Sequence, residues 1–362
     1  MMSLVGNWTS SLNTIGIPTL PNPNGGNTLG GFVAPSSINP TNWTRSYSRP
    51  AYIDSLPPRS NLHILPGATV TRVRFLQKPT LNGWVANQVD FAKDSNSRGR
   101  EVGVRREVIL TAGSVGSPAI LMHSGFGPRE MLENVGVDVM EDLPGVGQHL
   151  QDHLVRILYN DKFKVIYYYA PRLLVWYGSH MRKLLETSTN QIQISLFVFA
   201  SLAVSLAYLT DCQQSPEFLS YINDAVAYVN MSTLFGPNDT SCFRQKIQDA
   251  ADSSAFIIPS SDPSVMEGYT VIYNLLVNEF YNNEAQLELL MALTSPGTVS
   301  IQAAIQHPFS QGRLYINSSD PFQPAVIDPQ YYSHFAGEFS LRCKLASCLI
   351  VTYPLFSLLC GT

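Results

Sequence analysis

The stretch Arg105–Pro128, RREVILTAGSVGSPAILMHSGFGP, decides how the rest of the chain is read. Val108 to Leu110 is a continuously apolar run of the kind found in buried parallel strands. It runs into Thr111, Ala112 and Gly113, small residues that let another backbone or a ligand come close. Ser117 offers an N-cap oxygen, and Pro118 then falls at a first helical position, where a missing N–H costs nothing. Ala119 to His123 fits one or two helical turns, and Gly125 is placed to stop them. A strand, a small-residue turn and a helix start are the parts from which nucleotide sites are built. The same pattern also describes an ordinary connection in an α/β domain.

Working outward, Asn61 to Leu65 and Ala68 to Phe75 read as two strands separated by Pro66-Gly67. Trp84 to Phe91 is a third strand and Glu107 to Thr111 a fourth. Residues 1 to 60 are rich in Pro, Gly, Asn and Ser with few periodic runs, and PNPNGGNTLGGF (Pro21 to Phe32), turn chemistry almost throughout, reads on its own as a linker or surface loop. Beyond the opening stretch, Arg129 to Val135 is a short amphipathic helix ended by Gly136, and Val137 to Met140 alternates like a strand. LPGVGQHLQDH (Leu143 to His153) then places His149 and His153 four apart, which on a helix would share a face beside Asp152. No cysteine is near them, and structural hydrogen bonding is their expected role.

Farther along, Ser215 to Tyr228 and Asn282 to Leu293 have helical spacing, and Ser264 to Val277 is mixed. Ser300 to Tyr332 reads as two strands broken by His307-Pro308 and Gln311-Gly312, followed by a loop and an extended run to Asp328-Pro329. The apolar run Ile194–Leu209 is shorter than the ~20 residues a membrane-spanning helix needs, so a buried helix, or a strand with a following helix, is expected. The uncharged tail Leu345 to Thr362 is interrupted by Pro354 and is not read as an anchor.

At 362 residues the chain has room for two domains with real cores. Charged residues make up 14% and the net charge is −4, so there is no basic footprint for nucleic acid. Five cysteines, irregularly spaced, outline neither a disulfide scaffold nor a zinc site. Cys212 and Cys242 could pair if the protein is secreted, and isolated reduced thiols fit as well. Five Asn-x-Ser/Thr triplets begin at Asn7, Asn42, Asn230, Asn238 and Asn317, and tilt the location slightly outward. The N-terminal residues do not read as a signal peptide.

The literal strings narrow this further. Gly113-Ser114, Ser117-Pro118, Ile120-Leu121 and Ser124-Gly125-Phe126-Gly127-Pro128 resemble the second signature of the glucose–methanol–choline (GMC) family of flavin oxidoreductases. NLHILPGATV before it, LPGVGQHLQDH after it and the later HPFSQGR, DPF and IDPQY blocks resemble the same family in the same order. The resemblance implies a mixed α/β and α+β architecture. Residues 1–155 would be a partial FAD-binding, Rossmann-like domain with cofactor-covering loops. Residues 156–338 would be a substrate-binding domain on an antiparallel sheet, departing from the pattern at 162–193, and 339–362 a tail foreign to the family. It implies FAD as cofactor and a small-molecule alcohol as substrate, with Val70, Ala112 and Gly113 against the flavin nucleotide.

In the family, a histidine base takes the hydroxyl proton while a hydride passes to the flavin. Two parts of that pattern are missing from this sequence: the strand–Gly-x-Gly-x-x-Gly–helix that holds the pyrophosphate, and the block with the catalytic histidine. His307 falls at a substrate-domain turn and does not inherit the role. No catalytic residue and no metal ligand is therefore assigned, and the chain is expected to bind FAD weakly or not at all and to be inactive alone. A second reading is a non-catalytic remnant or glycoprotein that keeps the flavin-fold sheet. A Ser/His/Asp hydrolase would want Gly-x-Ser-x-Gly, which Gly113-Ser114-Val115-Gly116 and His123-Ser124-Gly125 only approach.

Overall fold

Period-two burial builds the largest sheet. In β9 (Ala225–Val229), Ala225, Ala227 and Val229 point into one core, with Leu287, Leu289 and Met291 of β10 (Leu287–Ser295) beside them. Ala303 and Ile305 of β11 (Thr298–Ile305) continue the same face. With β1 (Gly30–Val33), β7 (Leu154–Asp161) and β8 (Lys164–Tyr169), these form six antiparallel strands in the order β1-β9-β10-β11-β7-β8. The computed structural model describes residues 2–42, 44–78, 83–161, 164–169, 225–254, 257–295 and 298–337.

Helix α1 (Met2–Thr14) covers that face. Trp8 and Leu12, four apart, lie on one side of the helix and are fully buried in the sheet's core. The Trp8 indole Nε1 donates to the Val226 carbonyl at 3.4 Å. A helical layer, Pro237–Asp249 and Pro263–Leu275, buries a second core of Phe243, Ile247, Tyr269, Tyr273 and Phe309. The latter helix starts cleanly because the Asp262 carboxylate accepts the Ser264 and Val265 N–H groups and Pro263 occupies the first position.

A separate antiparallel sheet comprises β2 (Thr69–Lys78), β3 (Gly83–Ala92) and β4 (Arg100–Gly103). Helix α2 (Gly113–His123) packs on β2, and α3 (Arg129–Asn134) follows. Met122 of α2 and Leu132 of α3 form a third core with Leu314 and Ile316, which belong to or follow β12 (Arg313–Tyr315). That strand pairs with β13 (Val326–Asp328). A short parallel pair joins β5 (Phe126–Gly127) to β6 (Glu141–Asp142).

Several expectations are corrected. Ahead of the Pro21–Phe32 loop, where the sequence shows few periodic runs, Met2–Thr14 forms α1. Asn61–Leu65 and Glu107–Thr111 are not strands, and Ile109 is 74% exposed. An apolar run becomes a strand only where a neighbour takes its N–H and C=O groups, and among the described residues none lies beside 107–111. The third strand of the small sheet is Arg100–Gly103 instead. Val137–Met140 is irregular, with pairing beginning at Glu141.

The helical spacings at Ser215–Tyr228 and Asn282–Leu293 also mislead at their described ends, since Ala225–Val229 and Leu287–Ser295 are central strands, while 215–224 lies outside the described residues. Helix α2 begins at Gly113 rather than after Ser117, so Pro118 lies inside it. The six-stranded sheet draws α1 and β1 into the same unit as β9 to β11, across the division expected near residue 155. The run 194–209, the tail 345–362, most of 162–193 and Cys212 lie outside the described residues.

Candidate functional site

The turn at Thr111–Gly113 is built by Gly113, whose φ of +79° is open to glycine at no steric cost. Its neighbour Ala112 has its N–H bound by the Ser117 hydroxyl at 3.1 Å, so Ser117 reaches back to the turn rather than capping a later helix. Ala112, Gly113, Ser114 and Val115 are exposed, and a Cβ built on Gly113 would meet nothing within 4 Å. The first N–H groups of an eleven-residue helix thus face open space, with the positive end of the helix dipole behind them. That donor set fits a phosphate-bearing nucleotide such as FAD.

The far end of α2 is fixed to the small sheet. Ser124 Oγ donates to the Ile120 carbonyl at 2.6 Å and accepts the Val73 N–H at 2.9 Å. Gly125, at φ +86°, lies so close to the following loop that an added Cβ would meet the Asp138 carbonyl at 2.5 Å. Val70 is half-buried on β2, opposite Phe91, and the register shifts between Val70 and Arg72. Such a bulge leaves a residue of the strand without a cross-strand partner. Val70 and the Ala112–Gly113 turn therefore sit on two elements packed against each other, with no hydrogen bond joining them directly among the described residues.

A cleft of about 1440 Å³ opens beside the small sheet, with Arg98, Arg100, His123, Asp138 and Asp320 on its walls. Burial holds the His123 imidazole below its usual range, partly offset by the Asp320 carboxylate. On the sheet side, Arg72 and Arg74 both bind the Asp90 carboxylate, at 2.9 and 2.7 Å. Burial pushes the Asp90 carboxyl up, but its bonds from Arg72, Gln88 and Arg74 prevail and lower it. Groups of both signs line this cleft.

The Leu143–His153 segment connects β6 to β7 and is pinned to the start of β12. Leu150 and Gly312 exchange backbone hydrogen bonds at 2.9 and 2.8 Å, and the Leu314 N–H donates to Gly147 at 2.7 Å. His149 adopts a positive φ of +56° and its Nδ1 lies 2.6 Å from Gln311 Oε1. This segment is not helical, so His149 and His153 do not share a helix face. Among the described residues no group of three His, Cys, Asp or Glu side chains converges. Sequence reading missed Gln311, almost wholly buried, because only the fold brings it to His149.

His307 and His334 are held by packing. His307 lies 5.2 Å from the Phe280 ring, and burial holds its imidazole below the usual range, with Glu284 pulling it up and His153 pushing it down. His334 is buried, and its Nδ1 accepts the Ala336 N–H at 3.1 Å. Its Nε2 therefore carries the proton and faces Ser254 Oγ at 3.0 Å and Tyr273 Oη at 3.2 Å. Ser254 Oγ itself donates to Ala250, so it has no base beside it and this pair is not a nucleophile. Among the described residues Cys242 is a free, exposed thiol, and no helix is long and apolar enough to cross a membrane.

Comparison with known proteins finds relatives in sequence and in fold. The profile of the GMC oxidoreductase family matches residues 9–155. The GMC oxidoreductase family protein Mala s 12 of Malassezia sympodialis is 32% identical over 313 residues, covering 86% of this chain and 43% of that protein. Dehydrogenase xptC of Emericella nidulans is 28% identical over 326 residues, 87% and 46% of the two chains. In fold, the chain is similar to a fungal aryl-alcohol oxidase (TM-score 0.70, 23% identity, 98% of this chain and 54% of that one). It is also similar to an FAD-dependent oxidoreductase from Chaetomium thermophilum (TM-score 0.68, 24% identity, 98% and 53%). The chain spans about half the length of the relatives it matches.

Proposed function

This chain belongs to the GMC oxidoreductase family, and on that premise we propose that it serves the FAD-dependent oxidation of a CH–OH donor. Residues 9–155 supply a wall for the flavin nucleotide, with Val70, Ala112 and Gly113 as its contacts. The observation that carries this reading is the exposed, glycine-opened N-terminus of α2 inside the family match. Named relatives that include dehydrogenases, and a structural neighbour titled an aryl-alcohol oxidase, support the reaction class.

When bound, the flavin supplies the electron chemistry. The residues of this chain bind and orient: free N–H groups at Gly113 and Ser114 meet anionic oxygens, and the Ser124 clamp holds α2 against β2. No histidine of this sequence matches the family's base, so turnover by this chain alone is not expected. Reduction of an artificial acceptor that depends on a primary alcohol, by the purified chain, overturns that expectation.

The binding reading is tested by titrating free FAD with the purified chain and following flavin fluorescence. The expected result is weak, saturable quenching that Ala112→Arg abolishes while the thermal transition of the protein is kept. Equal titrations for the two proteins, or none for either, overturn it.

A further inference from the structure

We propose that Asn42 and Asn317 are the N-glycan attachment points of this chain, and that Asn230 and Asn238 are not. All four begin an Asn-x-Ser/Thr triplet, which is the acceptor pattern of secreted proteins. The fold separates them by what it does with the amide and with the hydroxyl two residues on.

Asn42 is exposed, as is Thr44. Its Oδ1 accepts the Thr44 N–H at 3.2 Å and the Thr44 hydroxyl at 2.7 Å. Both bonds use the amide oxygen, and among the described residues no hydrogen bond to Nδ2 competes for the nitrogen that must react. Asn317 lies in the bend after β12, exposed, and Ser319 is exposed beside it. Neither side chain of that pair is tied to the protein by a hydrogen bond among the described residues. A glycan at either point extends into solvent without displacing packed atoms.

The other two triplets are consumed by structure. Asn230 caps the helix Met231–Phe235, and its Oδ1 takes the Thr233 N–H together with the Ser232 and Thr233 hydroxyls. Asn238 is exposed, but it stands in the first turn of the helix Pro237–Asp249. Its +2 hydroxyl, on Thr240, is buried and donates to the Gly236 carbonyl at 2.7 Å. The side chain of the fifth, Asn7, falls outside the described ones.

In the step itself, the amide Nδ2 attacks the anomeric carbon of a lipid-pyrophosphate-linked oligosaccharide. The new N–C bond forms as the carbon–oxygen bond to phosphate breaks. The lipid pyrophosphate leaves, and one amide proton passes to a base of the transferase. No electron is gained or lost. A glycan would be added before folding and must be tolerated afterwards: Asn42 and Asn317 are exposed together with Thr44 and Ser319, whereas Asn230 is half-buried and the Thr240 of the Asn238 triplet is buried.

The test is glycopeptide mapping of the full chain directed into a eukaryotic secretory pathway and carrying an appended control triplet. The control verifies passage through the pathway. Deglycosylation in heavy-oxygen water is expected to mark Asn42 and Asn317 and to leave Asn230 and Asn238 unmarked. Thr44→Ala and Ser319→Ala are each expected to remove one glycan, and Thr44→Ser to keep it, without a change in secreted yield. An unmarked Asn42 or Asn317 beside a marked control overturns the assignment of that residue. A mark on Asn230 or Asn238 overturns the exclusion.

Discussion

Gly113 and Gly125 both hold a positive φ, +79° and +86°, yet an added methyl meets different surroundings at each. At Gly113 only the left-handed backbone penalises a side chain, so Gly113→Ala is expected to cost about 1–2 kcal/mol in urea unfolding. At Gly125 the methyl also drives into the Asp138 carbonyl and Met140, so Gly125→Ala is expected to cost about 2–5 kcal/mol. Equal losses for the two variants would show that the close approach at Gly125 is not as described. His334 makes a second case at this scale. Burial lowers its imidazole from 6.5 to about 4, so the folded state resists the proton that the unfolded chain accepts. The stability is fully present above pH 6.5 and declines by about 3 kcal/mol as pH falls from there through about 4. His334→Gln is expected to remove that part of the slope in denaturant titrations between pH 4 and 7. Parallel slopes in both proteins would refute it.

At the scale of elements, α1 is held by what its side chains meet rather than by its own propensity, since Gly6, Asn7 and five Ser/Thr residues are poor helix formers. Trp8 and Leu12 give the helix its place on the six-stranded sheet. Trp8→Ala removes a fully buried indole and its bond to Val226, and is expected to cost about 3–5 kcal/mol. A loss below 1 kcal/mol would mean that α1 is not docked on the sheet. The helix α2 is legible in the sequence as a turn and a helix, but not its start. Ser117-Pro118 looks like a beginning, whereas Ser117 serves the turn five residues earlier and Pro118 forfeits one backbone bond in the first turns.

For the whole molecule, the telling feature is apolar surface left in water. Leu62, Ile64 and Leu65, leading into the small sheet, and Ile109 and Val115 around the α2 turn are all exposed. Soluble monomers seldom leave many large apolar side chains uncovered without a purpose. The chain is therefore expected to bind a hydrophobic dye in its native state and to self-associate as concentration rises. Ile64→Lys with Ile109→Lys is expected to lower both signals, read by dye fluorescence and sedimentation, without lowering stability in urea. Unchanged association in the double variant would place the contact elsewhere.

The strings around Gly113, Gly125 and Gly147 were enough to indicate the family, because each marks a turn or close approach that few sequences satisfy. The same local logic found β2, β3, α3 and the turn-broken pair ending at β13. It failed where a segment's state depends on its neighbours. AVAYV and LELLMALTS carry no mark that tells helix from strand, and become central strands because β1, β11 and each other supply the bonds along both edges. VIL at 108–110 reads as a strand and is not one, for want of such a partner among the described residues. The pairing of His149 with Gln311, 162 residues apart, likewise exists only once Leu150 and Gly312 are joined. Local sequence set the turns and the resemblance to the family. Lateral hydrogen bonding and burial, which are properties of the assembled sheet, decided the rest.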